Sequence, residues 1–198
     1  MIDLVLIGLT RFLVGGHPHW QGTIPSDRQR IYFANHGSHL DTILLWAALP
    51  PHLRAATHPV AALDYWGRSA LRRWIATRLL NAVLIDRSGS NKGQDVLTPL
   101  TSKLAEGRSL IIFPEGTRST ERLPGPFKSG LFNLATACPK AELVPVFLEN
   151  LNRAFPKGAL IPVPISCAVR FGTPLSLRPN ESKDEFLARA RAAIIALA

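Results

Sequence analysis

The chain has 198 residues, 46% of them apolar, and its 23 Lys and Arg against 14 Asp and Glu give a formal net charge of +9 at pH 7. This length suits one domain, and the positive excess favours an anionic partner: nucleic acid, a phosphorylated small molecule or an acidic membrane surface. No zinc-finger spacing, RNP-like aromatic strand or Lys-rich tail accompanies the charge, so we expect no nucleic-acid partner. Two cysteines in unrelated apolar contexts indicate buried thiols in a reducing compartment rather than a disulfide framework.

The N-terminal segment, MIDLVLIGLTRFLVGG, is apolar apart from a few residues that include Asp3 and Arg11. It lacks the cationic start and the A-x-A end of a signal peptide. It also falls short of the roughly 20 residues that a membrane-spanning helix needs. Residues 1–16 are therefore predicted to form a short apolar helix that lies in a membrane interface, or packs on the core, and ends at GGHPH. Residues 17–198 are predicted to form a single domain.

Along the rest of the chain, buried runs alternate with helical patterns. Strands are predicted at 30–34, 53–57 (weak), 82–85, 109–113, 142–148 and 163–172. Helices are predicted at 39–49, 66–80, 92–107, 130–138 and 180–197. Ser182 and Glu185 are spaced for a capping box at the start of the last helix. The alternation predicts an α/β fold with a central mixed, largely parallel sheet flanked by helices. Ligands of such sheets bind beyond the carboxyl ends of the strands, and His36, Arg87 and Glu115 each come just past one.

The stretch FANHGSHLD follows the first of these strands and contains two histidines and an aspartate. With His36 in the turn and Asp41 in the first helical turn, the carboxylate can reach back to the imidazole. It would accept a hydrogen bond from Nδ1–H and leave Nε2 as a base suited to near-neutral pH. The alternative interpretation is structural, with Asp41 favouring the helix N-terminus, Ser38 capping it and His36 packing. An isolated H-x4-D spacing does not decide between the two.

Metal binding and nucleophilic catalysis are rival uses of such residues. A metal-dependent phosphoesterase could use His36, His39 and Asp41, but zinc would need further ligands and no histidine follows His58. We therefore expect no metal and no cofactor. There is no G-x-S-x-G elbow, and neither cysteine has a local activating partner. A base without a protein nucleophile must activate water or a substrate hydroxyl.

The second candidate site motif is IIFPEGTRS, where a strand stops at a proline. Gly116 lets the backbone approach a ligand closely, and the Arg118 guanidinium can bind a phosphate through two hydrogen bonds. Glu115 could orient that arginine or a substrate hydroxyl. Arg87 in LIDRS and Lys128 in GPFKSG would add two more cations. The alternative is a plain turn whose charges pair in solvent.

Taken together, four short blocks resemble those of the glycerolipid acyltransferases, the 1-acylglycerol-3-phosphate acyltransferase family. NHGSHLD is similar to the family's N-H-x4-D block, LIDR to its second block, FPEGTRS to its third and LVPVFL to its fourth. FKSGLFNLA matches the stretch that usually follows the third block, and order and spacing agree. The resemblance implies a glycerol-3-phosphate acyltransferase-like fold, with 17–198 as a single acyltransferase domain.

The resemblance also implies roles for individual residues. His36 would be the general base and Asp41 the residue that orients it. The residues expected to bind the phosphate-bearing acceptor are Arg87, Glu115, Gly116, Thr117, Arg118 and Lys128. Pro145 would help to shape the pocket.

The implied reaction moves a fatty acyl group from acyl-CoA or acyl carrier protein to the free hydroxyl of a lysophospholipid, without an acyl-enzyme. The first candidate acceptor is 1-acylglycerol-3-phosphate, which would give phosphatidic acid. THPVAALDYWG stands where the family often has a Lys-Glu-Leu-like stretch, so lyso-ornithine lipid or another lysolipid is an alternative acceptor. A metal-dependent phosphoesterase and a catalytically silent lipid-binding protein are the alternatives from other classes.

Contact with an anionic membrane surface is also expected, because the acceptor and product reside in a bilayer. The protein would be peripheral or monotopic on the cytoplasmic face. Six arginines and two aspartates lie within 54–87, and much of this charge falls on the helix predicted at 66–80, opposite its apolar stripe. Near anionic lipid each such cation is worth about 1 kcal/mol. The same arginines could instead meet the phosphates of coenzyme A or an acidic carrier protein, or form the solvated face of an ordinary helix.

Overall fold

The computed structural model describes residues 8, 15–38, 40–86, 96–150 and 166–198. Its strands are β1 (Gly15–Trp20), β2 (Arg30–Ala34), β3 (Thr57–Ala62), β4 (Val83–Ile85), β5 (Ser109–Ile112), β6 (Glu142–Glu149) and β7 (Cys167–Phe171). Its helices are α1 (Asp41–Ala48), α2 (Pro51–Ala56), α3 (Leu63–Trp66), α4 (Ala70–Trp74), α5 (Thr98–Ala105), α6 (Gly130–Ala137) and α7 (Lys183–Ile195). A π-helical turn, Ile75–Leu79, continues α4.

The described strands form one sheet in the order β1-β7-β6-β2-β5-β3-β4. Neighbouring strands are parallel except for β6 and β7, so β1 and β7 run opposite to the other five. The central strand β2, RIYFA, is buried along its whole length. This is the burial expected of a parallel strand covered on both faces. The predicted fold class, a mixed and largely parallel sheet flanked by helices, is confirmed.

Two hydrophobic clusters cover the two faces of the sheet. Alternate residues of β2 point to opposite faces, as the two-residue period of a strand requires. Tyr32 packs in one cluster with Leu44 of α1, whereas Phe33 packs in the other with Leu134 of α6 and Phe186 of α7. Helix α1 therefore lies on one face, and α5, α6 and α7 lie on the other.

The weak strand predicted at 53–57 is wrong, because these residues mostly belong to α2. Pro51 occupies the first turn of that helix, where its missing N–H costs no hydrogen bond and its fixed φ suits the helix. The true strand, β3, begins at Thr57 and is absent from the sequence prediction. Its residues, THPVAA, include a proline and few residues with high strand propensity. Pairing with β4 and β5 on either side forms it.

Strand β1 also departs from the prediction, since GGHPH was expected only to end a helix. It pairs in parallel with β7, and Gly15 and Gly16 both adopt positive φ. A Cβ at Gly16 would collide with the Leu44 side chain, so glycine lets the chain turn in closely against α1. Because β1 runs opposite to β2, Gly15 lies at the edge of the sheet where β2, β5 and β6 end.

Residues 1–7 and 9–14 of the predicted N-terminal helix lie outside the described part of the chain. Among the residues that the structure describes, no helix combines the length and the apolarity needed to cross a bilayer.

The helix predicted at 66–80 is present over 70–79, as α4 and the π-helical turn that continues it, but its first residues differ. Helix α3 ends at Trp66, the chain turns at Gly67, and Ser69 caps α4 by accepting a hydrogen bond from the Arg72 N–H at 3.2 Å. The predicted apolar stripe does not pack on the core throughout, because Leu71 is 67% exposed and Trp74 is 47% exposed.

Helix α7 begins with the predicted capping box, which is confirmed. The Ser182 hydroxyl accepts from the Glu185 N–H at 3.3 Å, and the Glu185 carboxylate accepts from the Ser182 N–H at 2.9 Å. Each group satisfies a backbone donor that a helix start leaves without a partner.

His58 is a buried histidine near the amino end of β3. Its Nδ1–H donates to the Asn81 carbonyl at 2.7 Å, and within the described residues its Nε2 has no hydrogen-bond partner. Burial lowers the pKa of His58 below its usual 6.5, because a charged imidazolium would lose its hydration there. The hydrogen bond to Asn81 opposes this effect, whereas the nearby charges of Lys103 and Arg108 reinforce it.

Candidate active site

The residues predicted to carry the chemistry gather at one edge of the sheet. Strands β2, β3, β4 and β5 are parallel, so their carboxyl ends share that edge. His36 comes just after β2, and the turn that contains Glu115 and Arg118 comes just after β5. Arg87, predicted just after β4, lies outside the described residues.

His36 and Asp41 form the pair that the sequence predicts. The Asp41 carboxylate is only 1% exposed, and its Oδ2 lies 2.7 Å from His36 Nδ1. The same oxygen accepts backbone N–H bonds from Gly37 at 2.7 Å and from Ser38 at 2.9 Å. Because a carboxylate can only accept, Nδ1 must carry the proton, and the lone pair of the neutral ring is then on Nε2.

A stacking contact holds the plane of the imidazole ring, in addition to the hydrogen bond at Nδ1. The Phe113 ring stacks on it with the ring centroids 4.3 Å apart and an interplanar angle of 21°. The His36 side chain remains 21% exposed, and it lines a cleft. The ring is thus fixed on its buried side while one part of it faces the cavity.

Glu115 holds the backbone of His36. It is 6% exposed, and its Oε1 accepts from the His36 N–H at 2.8 Å while its Oε2 accepts from the Gly125 N–H at 2.9 Å. The His36 carbonyl in turn accepts from the Ser119 N–H at 2.8 Å. Glu115 therefore supports the loop that carries His36 and is not among the residues that line the cleft, although the sequence prediction made it a substrate ligand.

Two further contacts hold this loop, and the sequence reading missed both. The Asn35 side chain donates to the Leu148 carbonyl at 3.1 Å and accepts from the Leu148 N–H at 2.7 Å, which extends the pairing of β2 with β6. Arg191 of α7 donates from Nε to the carbonyls of Pro124 at 2.8 Å and Gly125 at 3.2 Å. Arg191 thus holds the Pro124–Gly125 peptide, whose N–H donates to Glu115.

The cleft in front of His36 has a volume of about 710 Å³. Of the predicted binding residues, it brings together Gly116, Thr117, Arg118 and Lys128. Gly116 has a φ of 71°, and a Cβ there would lie 2.9 Å from Lys128 Nζ. Glycine therefore gives both the left-handed turn and the room in which the lysine side chain lies.

The inner part of the cleft is apolar. Side chains from the ends of three strands and from α5 and α6 contribute to it: Val60, Ile85, Leu97, Leu100, Ile112 and Leu134. A cavity lined by both cationic and aliphatic side chains suits an amphiphile with an anionic head.

Tyr65 is a cleft residue that the sequence reading did not single out. The guanidinium carbon of Arg118 lies 5.4 Å from its ring centroid, and that of Arg72 lies 4.9 Å from it. Both distances fall within the range of cation–π attraction. Nothing in the local pattern around LDYWG signals this contact, because Arg118 comes from a distant strand end.

Pro145 lies in the middle of β6, where it pairs with Phe33 and its carbonyl accepts a hydrogen bond from the Gly172 N–H at 2.9 Å. Pro145 is buried and is not among the residues that line the cleft. Its predicted role in shaping the pocket is therefore not supported by a direct contact with the cleft.

His39, the third member of the hypothetical metal site, lies outside the described residues. Within the described ranges no three His, Cys, Asp or Glu side chains form a group that could hold a metal ion.

Neither cysteine of the described chain has the surroundings of a nucleophile. Both are free thiols. Burial, reinforced by the charges of Asp41 and Glu149, raises the pKa of Cys167 to about 11. Burial also raises the pKa of Cys138. With raised pKa values, both side chains are protonated near neutral pH. Because the thiolate is the reactive form, neither cysteine is activated as a nucleophile.

The structure thus places the His36–Asp41 pair at the end of a largely parallel sheet, beside a cleft lined by aliphatic side chains and by the cations Arg68, Arg118 and Lys128. The chain belongs to the Acyltransferase family, whose model matches residues 18–149. The family resemblance carried by the four sequence blocks is confirmed.

Three known proteins illustrate the relationship. A 1-acyl-sn-glycerol-3-phosphate acyltransferase from Chlamydomonas reinhardtii is 30% identical, over 86% of this chain and 48% of the relative. Taffazin from Dictyostelium discoideum is 31% identical, over 69% of this chain and 50% of the relative. The crystal structure of the 1-acyl-sn-glycerophosphate acyltransferase PlsC from Thermotoga maritima has a TM-score of 0.74 at 22% identity, over 99% of this chain and 78% of that one, and shows the same fold. The chain spans about half the length of the curated relatives that it matches.

Proposed function

We propose that this protein is an O-acyltransferase that moves a fatty acyl group from a thioester donor to the free hydroxyl of a lysophospholipid. The observation that carries the proposal is that His36, tied through Nδ1 to the buried Asp41, opens on the same cleft as Arg118 and Lys128. The first candidate acceptor is 1-acylglycerol-3-phosphate, with phosphatidic acid as the product. The names of two relatives, both 1-acyl-sn-glycerol-3-phosphate acyltransferases, support this choice.

In the proposed reaction, Nε2 of His36 takes the proton of the acceptor hydroxyl as its oxygen attacks the thioester carbonyl carbon. The C–O bond forms, the C–S bond breaks, and the imidazolium returns its proton to the departing thiolate. The buried Asp41 carboxylate stabilises the imidazolium between these two steps and keeps the ring in the required tautomer. No acyl-enzyme is needed, in keeping with the protonated state of both cysteines.

Arg118 and Lys128 would hold the phosphate of the acceptor, since a guanidinium can bind it through two hydrogen bonds and an ammonium adds charge. The aliphatic inner part of the cleft would take an acyl chain. Fixing the head group places the attacking hydroxyl in register with the base, which is where most of the rate advantage of such a site arises. Two cations in the cleft that can bind a phosphate favour lysophosphatidate over lyso-ornithine lipid, which has no phosphate.

We place the enzyme at a membrane surface, because its acceptor and product are bilayer lipids while acyl-CoA and acyl carrier protein are water-borne. The two free cysteines agree with the reducing, cytoplasmic side. The reaction requires no cofactor besides the acyl donor.

The central test is release of free thiol from acyl-CoA in the presence of lysophosphatidate, with the lipid product identified by mass spectrometry. His36→Ala should abolish release while the thermal unfolding transition is retained, because the base is lost and the fold is not. His52→Ala is the matched control, since His52 also faces an aspartate, Asp27 at 3.7 Å, but is 60% exposed and does not line the cleft. Turnover by His36→Ala at the wild-type rate would remove His36 as the base.

The acceptor assignment has its own test. Arg118→Ala should raise the KM for lysophosphatidate by about tenfold or more and change the KM for acyl-CoA little, because a charged hydrogen bond to phosphate is worth about 1.5–3 kcal/mol. An unchanged acceptor KM would refute the phosphate-binding role. Release of inorganic phosphate from lysophosphatidate that is lost on adding EDTA would instead favour the metal-dependent phosphoesterase.

A further inference from the structure

The outer surface of α3 and α4 carries large apolar side chains that face solvent. Six large apolar side chains are exposed in the described chain, and three of them lie within this short segment: Leu63 at 38%, Leu71 at 67% and Trp74 at 47%. Leu71 and Trp74 are three positions apart in a helix and so share one side of it. We call the exposed surface of residues 63–78 the α3–α4 face.

The α3–α4 face is also strongly basic. Four arginines lie in it and all are exposed: Arg68, Arg72, Arg73 and Arg78. Asp64 is the one acidic residue between 63 and 78. Arginines flanking exposed leucine and tryptophan side chains are the composition of a segment that lies in the interface of an anionic bilayer.

The α3–α4 face is continuous with the cleft. Tyr65, Trp66 and Arg68 line the cleft from the same short segment. The Tyr65 ring contacts both Arg118 inside the cleft and Arg72 on the outer surface. A surface that receives the α3–α4 face therefore lies directly at the mouth of the cavity.

We propose that the α3–α4 face docks the protein on an anionic lipid bilayer. Leu71 and Trp74 enter the boundary between head groups and acyl chains, where the amphipathic indole is favoured. The arginines meet lipid phosphates, with their aliphatic stems along the apolar layer. Docking in this orientation lets a lysolipid pass from the bilayer into the cleft without crossing water.

An acidic carrier protein could also meet the arginines. A bilayer is favoured because it accounts for the two exposed apolar side chains and the charge together, and because the acceptor of the proposed function resides there. The inference rests on that function only for the last of these reasons. Vesicle binding measured without turnover separates the failure of one from the failure of the other.

The test uses the full chain and co-sedimentation with vesicles of phosphatidylcholine alone or mixed with phosphatidylglycerol. The wild type should partition onto the anionic vesicles, and more weakly at high salt. Leu71→Ser with Trp74→Ser should lower this partition coefficient by roughly tenfold or more, because two apolar anchors are lost. Arg73→Glu with Arg78→Glu should lower it similarly and remove most of its salt dependence.

The controls make single changes of the same kind outside the α3–α4 face. Ile24→Ser removes another exposed apolar side chain, and Lys140→Glu reverses an exposed charge next to the amino end of β6, at the opposite edge of the sheet from the cleft. Both should partition like the wild type. Circular dichroism checks that each variant is folded.

Wild-type partitioning of both double variants would overturn the proposal. It would also be overturned if the variants kept vesicle binding and lost binding to an acidic acyl carrier protein, since the face would then take the carrier. Turnover of short-chain, monomeric lysolipid should be unchanged in the Leu71 and Trp74 variant, because neither residue lines the cleft. A wild type that binds anionic vesicles but shows no turnover with any acceptor would refute the proposed function and support the docking surface.

Discussion

Replacing Glu115 by glutamine tests whether this residue builds the site or binds the substrate. Its two carboxylate oxygens accept from the backbone N–H groups of His36 and Gly125, at 2.8 and 2.9 Å, and it is 6% exposed. Glutamine has nearly the same shape but only one accepting oxygen. Its NH₂ group would then face one of the two N–H donors.

The cost follows from these contacts. Losing one hydrogen bond to a charged acceptor costs about 1.5–3 kcal/mol, and a buried donor left without a partner costs about 1–3 kcal/mol. We expect Glu115→Gln to lower the free energy of unfolding by about 3 kcal/mol. If the His36 backbone then shifts by a fraction of an ångström, kcat should fall by about 10- to 100-fold. The KM for the acceptor should change little, because Glu115 does not line the cleft.

Two assays check this result together. Denaturant unfolding gives the change in stability, and thiol release at varied acceptor concentration separates kcat from KM. Glu121→Gln, the same change at an exposed position of the same loop, should affect neither quantity. A large rise in acceptor KM, with kcat and the free energy of unfolding unchanged, would show that Glu115 binds the acceptor directly and would refute the positioning role.

Two further predictions follow from residues at the periphery of the site and outside it. Arg191→Met should reduce kcat by about three- to tenfold with both KM values unchanged, because the loop at Gly125 loses its hydrogen bonds to α7. Lys183→Met on the same helix is the control. Equal kinetics of the two variants would show that Arg191 does not hold the loop in place. Because burial lowers the pKa of His58, the folded state favours the neutral ring, and its contribution to stability should be complete above about pH 6.5 and fall as the pH drops below that value. Unfolding titrations between pH 7 and pH 5 should therefore show a steeper loss in the wild type than in His58→Gln, by at most about 1.4 kcal/mol per pH unit. His19→Gln, at an exposed histidine, is the control variant, and equal slopes in the wild type and His58→Gln would contradict the prediction.

The parts of the fold that the sequence predicts well are those in which the local pattern and the tertiary environment agree. β2 and β6 are continuous apolar runs, and a run of that kind is what a strand covered on both faces requires. The capping box of Ser182 and Glu185 is equally readable, because both of its hydrogen bonds are local.

The missed strands, β1 and β3, are those with few residues of high strand propensity. GGHPHW and THPVAA become strands because β7, β4 and β5 offer them partners, and that pairing is invisible in a local window. The exposure of Leu71 and Trp74 could not be read either. A helical spacing of apolar residues predicts that they share one side of the helix, but whether another element covers that side depends on the tertiary structure.

Of the residues that the sequence predicts for the site, His36, Gly116, Thr117, Arg118 and Lys128 line one cleft, whereas Glu115 and Pro145 do not. The His36–Asp41 pair is local and could be foreseen from its spacing. The contact between Glu115 and the His36 backbone joins positions 79 apart in the chain, so only the assembled sheet reveals it. The same is true of Arg118 and Tyr65, which meet because β3 and β5 are neighbours.

The direction of β1 has a consequence for how the molecule can be tethered. Since this strand is antiparallel to the central ones, the polypeptide enters the sheet at Gly15, on the same edge where the loop that carries His36 follows β2. A membrane-binding segment upstream of Gly15 would bring that edge of the sheet, rather than the opposite edge, close to the bilayer. Together with the α3–α4 face, such a segment would attach the domain to the bilayer at two points. Two points of attachment would restrict rotation of the domain and keep the cleft entrance at the level of the lipid head groups.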